Sequence, residues 1–233
     1  MRAMILAAGR GERMRPLTDT CPKPLLQVGG HPLIVWNILR LARAGIRDIL
    51  INHAWLGEQI VAQLGDGHTL GVHLTYSAES PVLETAGGIA RALPFFEGQT
   101  FLLINGDIWC DWNPAVAAGD MELSPTHAAH LVLVDTPPHH SAGDFTLRAD
   151  GHLALPAPGT PTLTYAGIGL FHPSLFAHTD PTRPAPLAPL LRQAIALEVV
   201  TGERHSGQWV DVGTPERLEQ LDEQLGGTCA AGC

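Results

Sequence analysis

Residues 3–26 read AMILAAGRGERMRPLTDTCPKPLL. A short apolar run leads straight into Gly9 and Gly11, and then into Arg10, Arg13, Arg15 and Lys23. An apolar run of that length ending in glycine has the form of a strand buried on both faces of a parallel sheet. The loop that follows it then lies where open α/β sheets collect ligands, beyond the carboxyl end of a strand. Glycine adopts positive φ and has no side chain to hold a phosphate away from main-chain N–H groups, while arginine and lysine add charge-assisted contacts. Two glycines alone describe any tight turn, but a turn does not need the basic residues. The loop is neither GxxxxGK[ST] nor GxGxxG, which removes the P-loop and dinucleotide readings.

Outside this loop the chain is acidic. Its 233 residues carry 14 Lys and Arg against 23 Asp and Glu, a formal charge of -9. That is the wrong sign for a general nucleic-acid or anionic-membrane binder, so any anion site is local. Lys23 is the only lysine and stands between Pro22 and Pro24, on a stiffened segment. It reads as an exposed ammonium offered to phosphate. Hydrophobic residues at 45% and charged residues at 16% describe a globular chain. The expectation is one domain over 1–225, with a disordered tail at 226–233. Cys21, Cys110, Cys229 and Cys233 have no zinc-ligand spacing and read as free thiols. The start of the chain has no signal-peptide pattern, and no apolar run reaches the roughly 20 residues that span a bilayer. A cytoplasmic protein is expected, with no nucleic-acid or membrane partner, as a monomer or small homo-oligomer.

Onward from the loop, PLIVWNILRLARAG has helical periodicity and stops at Gly45, with Arg40 and Arg43 on its wetter side. DILINHA, VHLTYS and TFLLINGD read as strands separated by helices in WLGEQIVAQLG and TAGGIARAL. This alternation predicts an α/β fold with a mostly parallel sheet covered on both faces by helices. After Trp112 the pattern changes to strands with Pro- and Gly-rich connections, including a hairpin turn at Ala149–Gly151. A helix around APLLRQAIA, strands in LEVVTGER and QWVDV, and a closing helix in TPERLEQLDEQL follow.

Two carboxylates emerge at strand ends, Asp107 in NGD and Asp211 in WVDVGTPERL. Such a pair suits Mg²⁺, which takes one or two carboxylates and completes its octahedron with water and phosphate oxygens. Thr214 and Pro215 have the types of an N-cap and first helical residue. The twelve histidines show no metal-ligand spacing, and His139 and His140 read as loop residues. There is no GxSxG elbow for a serine hydrolase.

Taken together and in this order, LAAGRGERMRPLTDTCPKPLL, ESPVLETAGGI, NGD and WVDVGTPERL resemble the sugar-1-phosphate nucleotidyltransferases. The resemblance implies a Rossmann-like nucleotidyltransferase fold with a central mostly parallel mixed sheet flanked by helices, a nucleotide-binding half over 1–111, and a sugar-binding half over 112–225. It also implies Mg²⁺-dependent joining of an NTP to a sugar 1-phosphate with release of pyrophosphate. It implies catalytic roles for Arg13, Lys23 and Asp107 and metal ligation by Asp107 and Asp211. The nucleotide would be held by Leu6, Ala8, Gly9, Gly11, Glu79, Glu84 and Asn105. Within that set Glu79 faces the base edge, and Glu84 stands where a glycine usually offers its backbone N–H. Gly143, Asp144 and Gly167 fall where the family contacts the sugar. An EKP segment that often supplies a further lysine to the sugar phosphate is missing, so the resemblance leaves that phosphate to Lys23, metal and main chain, or to an arginine the sequence does not place. LETAGGI and the compact length look most like small bacterial uridylyltransferases that use UTP and N-acetylmuramic acid 1-phosphate in cell-wall recycling. Mannose or glucose 1-phosphate transfer, and a non-catalytic sugar-nucleotide sensor, are the alternatives.

Overall fold

The computed structural model describes residues 1–119, 121–140 and 142–226. The strands are β1 (Arg2–Ala7), β2 (Gln27–Val28), β3 (His31–Pro32), β4 (Asp48–His53), β5 (His73–Ala78), β6 (Phe101–Asn105), β7 (Ile108–Cys110), β8 (Ala129–Asp135), β9 (Thr146–Leu147), β10 (Leu153–Ala154), β11 (Leu163–Phe171), β12 (Val200–Arg204) and β13 (Trp209–Asp211). The α-helices are α1 (Leu33–Arg43), α2 (Gly57–Leu64), α3 (Glu84–Phe96), α4 (Ala115–Ala118), α5 (Leu187–Ala196) and α6 (Pro215–Gln224).

Seven strands form one sheet in the order β12-β8-β11-β6-β1-β4-β5. All pairings are parallel except those of β11, which runs against both β6 and β8. The expected α/β fold with a mostly parallel mixed sheet is therefore present. Along β1, Ala3 and Ile5 pack into one buried cluster and Met4 into the other. The same alternation holds in β4, where Ile49 and Ile51 oppose Leu50, and in β6, where Leu102 and Ile104 oppose Phe101 and Leu103. Both faces are covered, which is why these strands are apolar at nearly every position.

Helices α1, α2 and α6 cover one face through residues such as Ile34, Ile38, Ile60 and Leu221. Helices α3 and α5 cover the other through Ile89, Phe96, Leu191 and Ile195. On that second face Phe96 and Phe101 stack with ring centroids 3.9 Å apart.

QWVDV forms a strand as expected, and β13 pairs antiparallel with β7 outside the main sheet. Two local expectations change. Arg40 is not on a wet face: its guanidinium lies 4.4 Å from the centroid of the Trp109 ring, and burial lowers its pKa. Cys110 is a buried free thiol, pushed up to about 11 by desolvation, whereas Cys21 is not free. The expected tail lies outside the described residues except for Gly226.

Candidate active site

A cleft of about 460 Å³ lies at the carboxyl ends of β1, β4 and β6, within the size range of small-molecule sites. Leu6, Ala8, Gly9, Gly11, Arg13, Lys23, Glu84, Asn105 and Asp107 all line it. Gly11 has φ +63, and a Cβ there would lie 3.0 Å from Thr18 Cγ2 and 3.1 Å from Lys23 Cβ. Only glycine meets both the dihedral and the close approach without strain. The loop is braced from outside by Arg10, stacked 4.8 Å from the Trp55 ring centroid, and by Trp55 Nε1, which donates to Thr18 O.

Lys23 corrects the expectation of an exposed ammonium. Its side chain is 9% exposed, and Nζ donates to Asp107 Oδ2 at 2.7 Å. The stem is folded under Gly11, so burial carries the charge to the cleft floor instead of holding it in solvent. Asp107 and Asp211 become neighbours through the β7–β13 ladder, where Asp211 pairs with Ile108 and Val212 N donates to Asp107 O. Asp211 Oδ2 accepts from Arg217 Nη1 at 2.6 Å. Each carboxylate thus meets a cation through Oδ2, and among the described residues Oδ1 of each has no protein donor. Two oxygen-only ligands with a free oxygen apiece fit a hard divalent cation.

Glu79 is placed differently from the expectation. It is buried, Oε1 accepts from Asn52 Nδ2 and Oε2 from Leu83 N, both at 2.8 Å. Both oxygens are spent on the protein, and Glu79 does not line the cleft. It fixes the approach to α3 instead of presenting a free carboxylate to a base. Asn52, not singled out from the sequence, links this brace to the end of β1, because its Oδ1 accepts from Ala7 N at 2.9 Å. Glu84 takes φ +56, a left-handed conformation that suits the position of a family glycine, and it lines the cleft.

A second hollow adjoins the first, sharing Glu84, Thr85 and Asn105 and adding Asp144, Phe145, Tyr165 and the start of α5. Asp144, expected to contact a sugar, lines this second hollow, with Oδ2 accepting from Tyr165 N. Gly143 and Gly167 do not line either hollow. Gly143 is packed against Thr162 and Leu163, while Gly167 sits at the irregularity in the β8–β11 register, against Asn105.

The histidine pair is not an idle loop. His139, His140 and Asp211 bring ligand atoms within 4.8 Å of one another, and Arg217 Nη1 donates to His139 Nε2 at 2.9 Å. Helical position was the available signal: Arg217 falls on the first turn after Thr214, whose side chain caps α6 by accepting from Arg217 N.

The nucleotidyl transferase family matches residues 2–226. An N-acetylmuramate alpha-1-phosphate uridylyltransferase of Neisseria meningitidis serogroup B is 50% identical over 228 residues, 97% of this chain and 99% of the relative. A protein of the same name from Caulobacter vibrioides is 33% identical, covering 96% of each chain. The solved structure of a Bacillus anthracis protein described as a glucose-1-phosphate thymidylyltransferase superposes with a TM-score of 0.84 at 21% identity, covering 99% of this chain and 97% of the other. With the glycine loop and the Lys23–Asp107 pair lining one cleft, Asp211 set beside Asp107 by the β7–β13 ladder though not itself in the cleft lining, and relatives aligned from end to end, the chain belongs to the nucleotidyl transferase family and is a nucleotidyltransferase.

Proposed function

We propose that the protein transfers the uridylyl group of UTP to N-acetylmuramic acid α-1-phosphate, yielding UDP-N-acetylmuramic acid and pyrophosphate. The observation that carries the chemistry is the Lys23–Asp107 ion pair beneath Gly11 on the cleft floor. The choice of base and sugar rests on the 50% identical relative.

Two anionic substrates repel each other, and an acidic protein adds to that cost unless cations gather at one spot. Gly9 and Gly11 let the NTP phosphates approach main-chain N–H groups, and Arg13 reaches the departing phosphates from the same wall. A sugar-phosphate oxygen attacks the α-phosphorus in line; the new P–O bond forms as the bond to the β-phosphate oxygen breaks, and its electron pair leaves with pyrophosphate. A phosphate monoester is already a nucleophile at neutral pH, so no general base is needed. Asp107 and Asp211 are the residues that would hold Mg²⁺, which would supply charge neutralisation on the phosphate oxygens. Lys23 offers its ammonium to the α-phosphate from the cleft floor. Catalysis is positioning and electrostatic stabilisation. Asp144 and the start of α5 bound the sugar, and no helix among the described residues is long and apolar enough to cross a membrane, which agrees with a cytoplasmic enzyme.

The test is pyrophosphate release across four NTPs and a panel of N-acetylmuramic acid, N-acetylglucosamine, glucose and mannose 1-phosphates. UTP with N-acetylmuramic acid 1-phosphate is expected to be the best pair. Asp107→Asn and Asp211→Asn should each lower turnover at limiting Mg²⁺ by at least about 100-fold, the scale of one lost transition-state contact. Preference for another sugar removes the substrate assignment, and near-normal rates in both variants remove the metal assignment.

A further inference from the structure

Lys23 and Arg13 are the basic side chains lining the nucleotide cleft. Lys23 already faces Asp107, and Arg13 belongs to the loop on the NTP side. The adjoining sugar hollow offers no cation; its charged lining is Glu84 and Asp144. An acceptor phosphate entering from that side, past two carboxylates and toward two more, needs a positive charge from the second half of the chain.

Arg217 is placed to provide it. Its pair with Asp211 is largely removed from solvent, each side chain being 18% exposed. Nη1 serves both Asp211 Oδ2 and His139 Nε2, which makes that ring nitrogen an acceptor and leaves the proton on Nδ1 of the neutral imidazole. The other arm of the fork points elsewhere: Nη2 lies 2.5 Å from where a Cβ on Gly213 would be. Gly213 is itself part of the cleft wall. The missing side chain at Gly213 is what gives the guanidinium its place beside the cleft. A planar fork can keep one nitrogen on its anchors and turn another, at a fixed angle, to a phosphate oxygen.

Resting on the nucleotidyl-transfer reading, we infer that Arg217 is the second phosphate-binding cation of this enzyme, taking the acceptor sugar 1-phosphate, with Asp211 and His139 aiming it.

The product isolates the claim, because the β-phosphate of UDP-N-acetylmuramic acid derives from the sugar phosphate and UMP lacks it. Binding of both ligands is measured by calorimetry at fixed Mg²⁺ for wild type, Arg217→Gln and Arg217→Lys. Arg217→Gln is expected to weaken UDP-N-acetylmuramic acid by about 10- to 100-fold, the size of one charge-assisted contact, and to leave UMP within about twofold. Arg217→Lys should fall between. In steady state, KM for the sugar phosphate should rise while the Mg²⁺ concentration for half-activity stays put. Equal weakening of both ligands, or a loss cured by added Mg²⁺, would make Arg217 only a brace for Asp211 and overturn the inference. If wild type does not bind UDP-N-acetylmuramic acid, the sugar assignment fails, and the same ratio is read with UDP-N-acetylglucosamine against UMP.

Discussion

Lys23 has two separable jobs. Its methylenes fill the space beneath Gly11, and its ammonium meets Asp107. Lys23→Ala removes both: three buried methylenes at about 0.8 kcal/mol each come to roughly 2 kcal/mol. In a chain of this size that is a fall in Tm of roughly 4–8 °C. Lys23→Met keeps most of the stem and loses only the charge. Asp107, 41% exposed, stays hydrated without its partner, so the melting temperature of Lys23→Met should move by less than about 2 °C. Its kcat/KM should nonetheless fall roughly 30- to 1,000-fold, the equivalent of about 2 to 4 kcal/mol of transition-state stabilisation. Thermal melts beside steady-state kinetics on the two variants check this; equal melting losses in both would mean that the ion pair, not the stem, holds the loop.

At the scale of elements, α3 begins on a strained residue. Glu84 is its first residue at φ +56, in the left-handed region that costs a side-chain-bearing residue about 1–2 kcal/mol. Glycine removes that strain and adds back roughly 0.5–1 kcal/mol of chain entropy. Glu84→Gly should therefore leave stability unchanged or raise it by up to about 1 kcal/mol, and activity should survive because the contact expected at this position comes from a main-chain N–H, which glycine keeps. Denaturant melts give the sign; a clear loss of stability would show that the Glu84 side chain is needed where it stands. The helix is held at this angle by Glu79, whose Oε2 takes Leu83 N, so the buried carboxylate shapes the cleft through an element and not by lining it.

Across the whole molecule, the end of the described chain is fastened to its beginning. Asp222 on α6, 6% exposed, accepts from Gly29 N at 2.7 Å, just beyond the nucleotide loop. Asp222→Ala strands a partly buried N–H, which costs about 1–3 kcal/mol, or roughly 2–12 °C in Tm. An unchanged melting curve would show that α6 is held by apolar packing alone. Much of the architecture was legible from consecutive residues: apolar runs such as AMILAA and FLLIN mark strands buried on two faces, and Thr214 with Pro215 marks a helix start, because periodicity and capping are local properties of the chain. Gly11, Asn105 and Asp107 were legible for the same reason, since each sits at or just after a strand end, whereas Lys23 stood out as the only lysine, between two prolines. What lay beyond local pattern was every decision about partners. The β7–β13 ladder sets Asp211 beside Asp107, burial turns Lys23 inward, Asn52 and Leu83 consume the oxygens of Glu79, and the turn into α6 delivers Arg217 to Asp211 and His139. A sequence states which groups carry charge and which stretches are strand or helix; which charges meet, and how far from water, is fixed only when distant strands pair and the sheet is covered.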